Sequence, residues 1–146
     1  MTQCVRAIGE ADLPLVYSSY IKSSPTGGIA YSEHCSLAHD RMERCLSAEN
    51  VVAMCVVDGD APGWVGAWLV GHAVTGGLAV HYMYVKRDYR RLKLATQLLA
   101  YARLDEPGEL YITSTVAPRW RSWAERLGAA HVPLSRAIQG VEACRT

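Results

Sequence analysis

The sequence predicts an α/β domain with a mixed, mostly antiparallel sheet flanked by helices, in the order β-α-α-β-β-β-α-β-α-β. Three apolar runs between residues 51 and 85, separated by turn signals, predict an antiparallel meander. Helical periodicity before and after the meander predicts the flanking helices. The 146 residues, half of them apolar and a fifth charged, suit one domain over 1–146, with a core at about 3–138 and a loose tail.

The amino-terminal third predicts one strand followed by two helices. Residues 5–8 form a short strand candidate, and a helix follows in which Asp12 is the N-cap and Pro14 lies in the first turn. The Ser-, Pro- and Gly-rich loop 23–28 ends that helix. Apolar residues on one face then predict a second helix over about 32–46.

The middle of the chain predicts the meander and the helix that follows it. The strands are residues 51–57, 64–73 and 78–85, with Asp-Gly and Gly-Gly turn signals between them. The period changes at Arg90, where helically spaced leucines and alanines predict a third helix. Residues 105–108, which include Pro and Gly, end this helix.

The last third predicts a strand, a short helix and a further strand. Residues 110–116 are rich in β-branched side chains and predict the first of these strands. Pro118 opens the short helix and Gly128 is its C-cap, while residues 131–138 predict the last strand. The side chains expected on the buried face of the short helix are Trp120, Trp123, Ala124 and Leu127.

Composition excludes several classes of function. Fifteen Lys and Arg against 14 Asp and Glu give a net charge of +1, which argues against a generally basic nucleic-acid-binding domain. No apolar run approaches the roughly 18 residues of a membrane span, and the amino terminus lacks the pattern of a signal peptide. We therefore expect no nucleic acid or membrane partner and a cytoplasmic location.

The five cysteines indicate reduced thiols in place of structural crosslinks. They are odd in number, scattered, and form no CxxC pair, so neither a disulfide scaffold nor a zinc ribbon is expected. Cys35 and His39 lie four residues apart on the second predicted helix, where they would share one metal ion, but no second pair follows them. We therefore expect no metal.

The strongest functional signal lies between the third meander strand and the third predicted helix. Residues 86–93 hold five cations and one acid, Asp88, so this octet carries a charge of +4. The first turn of a helix has unpaired N–H groups and a partial positive charge, so added cations there favour a phosphate site. The alternative is a solvated basic turn that pairs with Asp88 or Glu106. A nucleic-acid module is disfavoured because no aromatic platform lies beside this segment.

This segment resembles the coenzyme-A-binding motif of the GNAT superfamily of N-acetyltransferases. The motif is Arg or Gln, two residues, Gly, one residue, then Gly or Ala, and Arg90, Lys93 and Ala95 occupy its three fixed places. Residues 84–85 match the family's strand-to-helix junction. Residues 123–128, Trp-Ala-Glu-Arg-Leu-Gly, resemble its second helix motif, and the predicted element order agrees with the family's fold over most of the chain.

The resemblance implies a bound acetyl-CoA and an acetyl transfer reaction. The pantetheine arm would pair with the backbone of residues 83–85, and the pyrophosphate would rest on the N–H groups of residues 91–96. The acceptor amine would enter from the opposite side. The residues implied for coenzyme binding are Met83, Tyr84, Val85, Arg90, Arg91, Leu92, Lys93, Leu94, Ala95 and Thr96.

Three positions depart from the family pattern. Lys93 replaces the first glycine of the motif, so the backbone approaches a pyrophosphate less freely while the ammonium offers a direct bond to a phosphate oxygen. Ala124 stands where many members carry a tyrosine that protonates the leaving thiolate, and Ala79 stands where some carry a glutamate. The binding part of the motif is therefore better represented than the catalytic part.

His81 and Tyr84 are the candidate catalytic residues. An amine with a pKa of about 10.4 is neutral in only about one molecule in 10³ at pH 7, so its attack on a thioester calls for a base. His81, two residues before Met83 on the same strand face, has a suitable ordinary pKa of about 6.5; the alternative is a sheet histidine bonded to a neighbouring carbonyl. Tyr84 is the candidate acid. Further candidates are His72 for the base and Tyr82, Tyr111 and Ser114 for the acid.

Two functions follow from these observations. The first is an acyltransferase that moves an acetyl group from acetyl-CoA to a primary amine of a small molecule, peptide or protein, with Tyr31, Glu33 and His34 on the acceptor side. The second is a catalytically weak or inactive scaffold that holds acetyl-CoA and acts by binding a partner protein, as a phage-encoded member would bind a host protein. The missing family tyrosine and glutamate keep the second function open.

Overall fold

The computed structural model of the chain describes residues 2–113 and 118–140. Its helices and strands follow the predicted order, and one short helix is added at the end. The strands are β1 Gln3–Ala7, β2 Val51–Asp58, β3 Ala61–Val74, β4 Gly77–Val85, β5 Glu109–Ile112 and β6 Ala130–His131. The helices are α1 Leu13–Ser23, α2 Tyr31–Leu46, α3 Leu94–Asp105, α4 Pro118–Arg126 and α5 Leu134–Ile138. Two 3-10 turns, Glu10–Asp12 and Arg87–Leu92, precede α1 and α3.

The six strands form one sheet whose spatial order is the order of the chain, β1-β2-β3-β4-β5-β6. β2, β3 and β4 pair antiparallel, which confirms the predicted meander, and β1 adds to it antiparallel beside β2. β5 and β6 each run parallel to the strand before them, because a helix returns the chain to the starting end of the sheet each time. The prediction of a mixed, mostly antiparallel sheet is confirmed.

Helices cover both faces of the sheet, and the alternation of side chains along each strand assigns residues to the two faces. On one face, Tyr20 of α1 and Met42 of α2 pack in a cluster with Trp68 of β3. On the other face, Leu98 of α3 packs in a cluster with Leu69. All five side chains are fully buried. Truncating one of the aliphatic ones to Ala removes about 2–5 kcal/mol from the free energy of unfolding.

Asp12 lies directly before α1, as predicted, but its side chain does not cap that helix. Its carboxylate accepts two hydrogen bonds from the Arg6 guanidinium, at 2.6 and 2.9 Å, and one from the Gly9 N–H at 2.7 Å. The Arg6 guanidinium lowers the pKa of Asp12. The predicted N-cap is thus right in position and wrong in bonding, since β1 places a cation within reach of the carboxylate.

The carboxyl-terminal region differs most from its prediction. The predicted strand 131–138 is wrong, because β6 is only Ala130–His131 and α5 follows it. Pro133 has no N–H to donate to a strand ladder. Its carbonyl instead accepts hydrogen bonds from the N–H groups of Arg136 and Ala137, at 3.0 and 3.1 Å, and this starts the helix.

Of the other predictions for the carboxyl-terminal third, one is confirmed, one is wrong and several concern residues that the structure does not describe. Gly128 has the positive φ, 80°, of the predicted C-cap, whereas Leu127 is 46 % exposed and does not face inward. β5 ends at Ile112, and the rest of the predicted strand, the side chain of Trp120 and the tail beyond 140 lie outside the described residues. Within the described ranges, no helix combines the length and the apolar character that crossing a membrane requires.

Candidate functional site

A cavity of about 450 Å³ opens beside the second half of β4. Eight of the ten residues predicted for coenzyme binding lie in its wall. Leu92 is exposed and does not belong to the described lining, and the side chain of Arg91 is not described. The described lining residues are Ser23, Tyr82, Met83, Tyr84, Val85, Arg90, Lys93, Leu94, Ala95, Thr96 and Trp123.

The cavity exists because β5 pairs with only the first part of β4. Residues 77–80 of β4 pair with residues 109–112 of β5. The last backbone hydrogen bond between them runs from the Thr113 N–H to the Val80 carbonyl oxygen, at 3.0 Å. Beyond it, β4 has no strand partner on this edge within the described chain. The second half of β4 therefore presents an open strand edge to the cavity.

A β-bulge in β4 lies directly after the last residue of β4 that pairs with β5. Tyr82 lies opposite Val70 of β3, while Val80 lies opposite Gly71, so His81 is an extra residue in β4. A bulge of this kind shifts the alternation of the strand by one residue. The side opposite the bulge requires glycine, since a Cβ on Gly71 would lie 2.6 Å from the carbonyl oxygen of Ala79.

The shifted alternation decides which backbone groups face the cavity. The Lys86 N–H donates a hydrogen bond of 2.8 Å to the Gly66 carbonyl oxygen, on the β3 side of the strand. Because successive residues of a strand point their N–H and C=O groups to opposite edges, those of Met83 and Val85 point to the open edge. These are the residues that the sequence predicts for contact with pantetheine.

Lys93 separates the 3-10 turn from α3 and has a left-handed backbone, with φ 57° and ψ 33°. Among the described residues it alone has a positive φ without being glycine. The predicted start of this helix near Arg90 is therefore wrong, since α3 begins at Leu94. Lys93 adopts a conformation that glycine takes without strain, at a cost of about 1–2 kcal/mol.

The start of α3 forms the cationic end of the cavity. The first helical hydrogen bond of α3 runs from the Gln97 N–H to the Lys93 carbonyl oxygen, at 3.2 Å. The N–H groups of residues 94–96 therefore have no partner within the helix. Arg90 and Lys93 line the cavity beside them, and the Arg90 Nε also donates to the Val85 carbonyl oxygen at 3.4 Å. Free N–H groups and two cations suit a phosphate or pyrophosphate.

His81 is buried and both of its ring nitrogens are engaged. They lie 2.9 Å from the Tyr20 hydroxyl and 2.8 Å from the Thr113 hydroxyl, and only 3 % of the residue is exposed. Burial, together with repulsion from His72 and Arg41, lowers the pKa of His81 to about 3. The imidazole is therefore neutral at pH 7, and it does not belong to the described lining. This environment is that of a sheet histidine in a polar network more than that of a base.

Two tyrosines of β4 lie in the cavity wall. Tyr84, the candidate acid, packs its ring on Trp68 with centroids 6.1 Å apart. The Tyr82 hydroxyl donates to Ser23 Oγ at 2.8 Å, and burial raises the pKa of Tyr82. Of the remaining candidates, His72 and Tyr111 are buried and absent from the described lining, and Ser114 lies outside the described residues.

The three residues predicted for the acceptor side do not line the described cavity. Tyr31 begins α2 and is 64 % exposed, and Glu33 is exposed as well. His34 is buried, and its Nε2–H donates to the Ile21 carbonyl oxygen at 2.9 Å. The His34 side chain thus ties α2 to α1, and its role as a substrate contact stays a prediction.

Ser23 and Trp123 belong to the cavity wall although they were not predicted as site residues. The signal for Trp123 was present, because it begins the second helix motif. Ser23 begins the loop 23–31, which the sequence predicts on the acceptor side, and its bond with Tyr82 of β4 brings it to the cavity. Its hydroxyl donates to the Ser19 carbonyl oxygen at 2.6 Å, which fixes it at the last turn of α1.

The predicted spacing of Cys35 and His39 does not gather metal ligands. In the described ranges, the group of possible ligand atoms lying within 4.8 Å of one another is His39, Asp40 and Glu43, all exposed on α2. His39 Nδ1 is 3.8 Å from a carboxylate oxygen of each acid, and its ring stacks on Tyr17 at 4.5 Å. Stacking and an i,i+4 contact account for this arrangement.

Comparison with known proteins gives the same fold. Residues 15–114 match the model of the acetyltransferase (GNAT) family. The structure is similar to the ribosomal-protein-S18-alanine N-acetyltransferase of Escherichia coli, with a TM-score of 0.57, 15 % identity, and coverage of 87 % of this chain and 77 % of that one. No curated protein matches the sequence.

Two further solved structures are similar at low identity. The PaiA N-acetyltransferase of Thermoplasma acidophilum, in complex with coenzyme A, has a TM-score of 0.59 and 12 % identity, with 86 % of this chain and 89 % of that one covered. The aminoglycoside antibiotic 6'-N-acetyltransferase of Acinetobacter baumannii has a TM-score of 0.59 and 14 % identity, with the same coverage. The family model covers about two thirds of the chain, and the chain therefore belongs to the acetyltransferase (GNAT) family.

Proposed function

We propose that this protein transfers the acetyl group of acetyl-CoA to a primary amine of a small molecule, a peptide or a protein. The observation that carries the proposal is the cavity in which the open edge of β4 meets the cationic start of α3. A coenzyme A thioester needs a strand edge for the amides of its arm and an anion site for its phosphates. The cavity offers these two features side by side.

In the proposed complex, the arm of the coenzyme lies along β4 as an added strand would. Its amides pair with backbone groups of Met83 and Val85. The pyrophosphate accepts hydrogen bonds from the N–H groups of residues 94–96, and Arg90 and Lys93 supply charge-assisted bonds. This orientation places the thioester toward the bulge end of β4, beside Tyr82 and Ser23.

Transfer begins when the neutral amine attacks the thioester carbonyl carbon. The C–N bond forms, the carbonyl electron pair moves to oxygen, and the Met83 N–H donates to that oxyanion. The nitrogen then loses its extra proton to water. The intermediate collapses with cleavage of the C–S bond, and Tyr84 gives its phenol proton to the departing thiolate. The proton that was released to water returns to Tyr84.

We assign the removal of the amine proton to water in place of His81. The described lining contains no carboxylate and no imidazole, and both nitrogens of His81 are engaged. The neutral fraction of the acceptor then limits the rate. At pH 7 that fraction is about one in 10³ for a lysine-like amine and about one in ten for an α-amino group.

A second function is favoured by the two alanines at the family's catalytic positions. Ala79 and Ala124 are both fully buried, so neither place presents an ionisable group to the coenzyme. A catalytically weak or inactive scaffold that binds acetyl-CoA and acts through a partner protein would tolerate this substitution. Both functions fit a cytoplasmic location, which stays a prediction.

The first experiment tests coenzyme binding by the rise in melting temperature with acetyl-CoA. Acetyl-CoA at 100 times its Kd stabilises the folded state by about 2.7 kcal/mol. We expect Arg90→Glu with Lys93→Glu to abolish the rise, because both side chains line the cavity. The matched control, Lys22→Glu with Arg44→Glu, makes the same change in charge at two exposed residues outside the lining and keeps the rise. A wild type whose melting temperature does not respond to acetyl-CoA contradicts both functions.

The second experiment separates the two functions by the release of free coenzyme A thiol. Wild-type protein is mixed with acetyl-CoA and a panel of amines: an amino acid amide, an N-terminally free peptide, a lysine side-chain analogue and a polyamine. Release above the rate without acceptor supports transfer. Binding of acetyl-CoA with no such release for any amine favours the scaffold.

A further inference from the structure

A series of hydrogen bonds passes through the buried side chains of Tyr20 and His81 at the bulge of β4. The Arg41 guanidinium donates to the Tyr20 hydroxyl at 3.4 Å. Because Tyr20 is fully buried and already accepts from Arg41, its own proton is directed to Nε2 of His81, at 2.9 Å. The His81 Nδ1–H then donates to the Thr113 hydroxyl at 2.8 Å. The imidazole thus has one defined tautomer and links α1 to the end of β5.

The position of this link along β4 is informative. The Thr113 N–H makes the last backbone bond from β5 to β4, at Val80. One residue later along β4, the His81 side chain bonds the Thr113 hydroxyl and so replaces the next bond of the ladder. Beyond this point no strand of the described chain pairs with this edge of β4, and the cavity begins. His81 is therefore the residue at which pairing stops, and it is also the extra residue of the bulge.

The bulge determines the direction of the amides that the coenzyme would use. In a regular strand, the groups that follow the Val80 carbonyl on the β5 edge would belong to Tyr82 and Tyr84. With one residue added, they belong to Met83 and Val85. A strand that lost the bulge would turn the Met83 N–H toward β3 and away from the thioester.

Resting on the proposed function, we propose that His81 is a positioning residue for acetyl transfer. Its two side-chain hydrogen bonds, to Tyr20 and Thr113, hold the bulge in place beside the end of β5 so that the Met83 N–H faces the thioester oxygen. The role is distinct from acid–base catalysis, since no proton passes through the imidazole. It acts on the transition state more than on coenzyme binding, because the phosphate end of the cavity lies at the opposite end of β4's open edge.

The test uses Thr113, because valine and serine at this position separate the hydroxyl from the shape of the side chain. Thr113→Val keeps the volume and removes the acceptor of the His81 bond, whereas Thr113→Ser keeps the hydroxyl. We expect kcat to fall about 10- to 100-fold in Thr113→Val, with the KM for acetyl-CoA within about threefold of wild type. Thr113→Ser should restore kcat to within about threefold of wild type.

A double-mutant cycle with Tyr20→Phe tests whether the hydrogen bonds from Tyr20 through His81 to Thr113 act as a unit. If they do, the fold loss of kcat in the double variant, Tyr20→Phe with Thr113→Val, is smaller than the product of the two single losses.

The pH profile of His81→Asn gives the readout that distinguishes positioning from catalysis. Positioning lowers the whole profile without changing its shape, whereas loss of a base removes an inflection.

Each outcome decides the proposal. Equal kcat in Thr113→Val and wild type, at unchanged melting temperatures, overturns the positioning role while leaving the proposed function intact. An inflection present in wild type and lost in His81→Asn overturns it in favour of a base. A wild type that binds acetyl-CoA and releases no thiol with any amine overturns both the proposed transfer and this role. A kcat loss in Thr113→Val that serine restores, with an unchanged pH profile shape, supports it.

Discussion

The hydroxyl of Tyr82, on β4, donates a 2.8 Å hydrogen bond to Ser23 Oγ, at the last turn of α1. Both residues lie in the cavity wall, so this bond closes the α1 end of the cavity. The Ser23 hydroxyl donates in turn to the Ser19 carbonyl oxygen. The Trp68 Nε1–H donates to Ser19 Oγ at 2.8 Å. Side-chain hydrogen bonds therefore join α1 to the sheet at three successive places when the contact of Tyr20 with His81 is included.

Removing the Tyr82 hydroxyl should loosen that end of the cavity. We expect Tyr82→Phe to lower the free energy of unfolding by about 1 kcal/mol, because the Ser23 hydroxyl loses its donor. The melting temperature should fall by about 3 °C. Tyr101→Phe, at an exposed tyrosine of α3, is the matched control and should change the free energy by less than about 0.5 kcal/mol. Equal effects of the two substitutions would show that the bond contributes nothing.

Two variants of Lys93 separate the effect of its left-handed backbone on stability from the effect of its charge on acetyl-CoA binding. Lys93→Gly relieves the left-handed conformation and should raise the free energy of unfolding by about 0.5–1 kcal/mol. Lys93→Ala keeps the strain, so it should bring no such gain. Both lose the ammonium, and both should weaken acetyl-CoA binding by about 5- to 10-fold. Urea unfolding and calorimetric titration measure the two effects, and a stability gain in Lys93→Ala equal to that in Lys93→Gly would contradict the assignment.

Gly71 tests the fit opposite the bulge. A Cβ at this position would lie 2.6 Å from the Ala79 carbonyl oxygen, which is backbone and cannot swing aside. We expect Gly71→Ala to lower the free energy of unfolding by about 1–3 kcal/mol. Gly63→Ala is the control on the same strand, since no atom lies within 4 Å of its added Cβ. Urea unfolding of the two variants measures the difference, and a Gly71→Ala protein as stable as Gly63→Ala would mean that the bulge is not tightly packed.

Because Asp12 is paired with Arg6, we expect the free energy of unfolding to fall in acid. Hydrogen bonds from Arg6 lower its pKa in the folded state, so its contribution is complete above the unfolded pKa of about 3.9 and is lost as pH falls through the folded pKa. We expect Asp12→Asn to be less stable by about 1–2 kcal/mol at pH 7, a figure reduced for the partial exposure of Arg6. The difference should narrow below about pH 4. Urea unfolding at pH 7 and pH 3 measures it, and a gap that stays constant would show that the charge of Asp12 is not responsible.

The rate of transfer should depend on pH through the acceptor. With water as the proton acceptor, kcat/KM for a lysine side-chain analogue should rise about tenfold per pH unit between pH 6 and 9, whereas a peptide α-amino acceptor should level off near pH 8. Thiol release at subsaturating acceptor measures both curves. A shared inflection near pH 6.5 for the two acceptors would indicate an enzyme base and contradict this assignment.

Local sequence patterns predicted the parts of the fold that depend on local structure. The apolar runs before and after Asp58 defined the meander, and the leucines after Leu94 defined α3, because their periods match a strand and a helix. Eight of the ten residues predicted for coenzyme binding line the cavity, because the end of β4 and the start of α3 that carry them follow one another closely in the chain. The roles of His34 and His81 depend on partners 13 to 61 residues away. No periodicity carries that information, so the buried polar contacts and the α1 side of the cavity were not predictable.

The order of the sheet has a consequence for the nascent chain. Because every strand lies beside the one synthesised before it, each newly emerged segment meets a finished edge on which to assemble, and domains generally fold as the amino-terminal part leaves the ribosome first. β4 leaves the ribosome before β5 does and therefore meets β3 first. When β5 emerges, it pairs only with residues 77–80 of β4. The edge of β4 beyond residue 80 is left without a strand partner in the described chain, so the cavity forms without a later rearrangement.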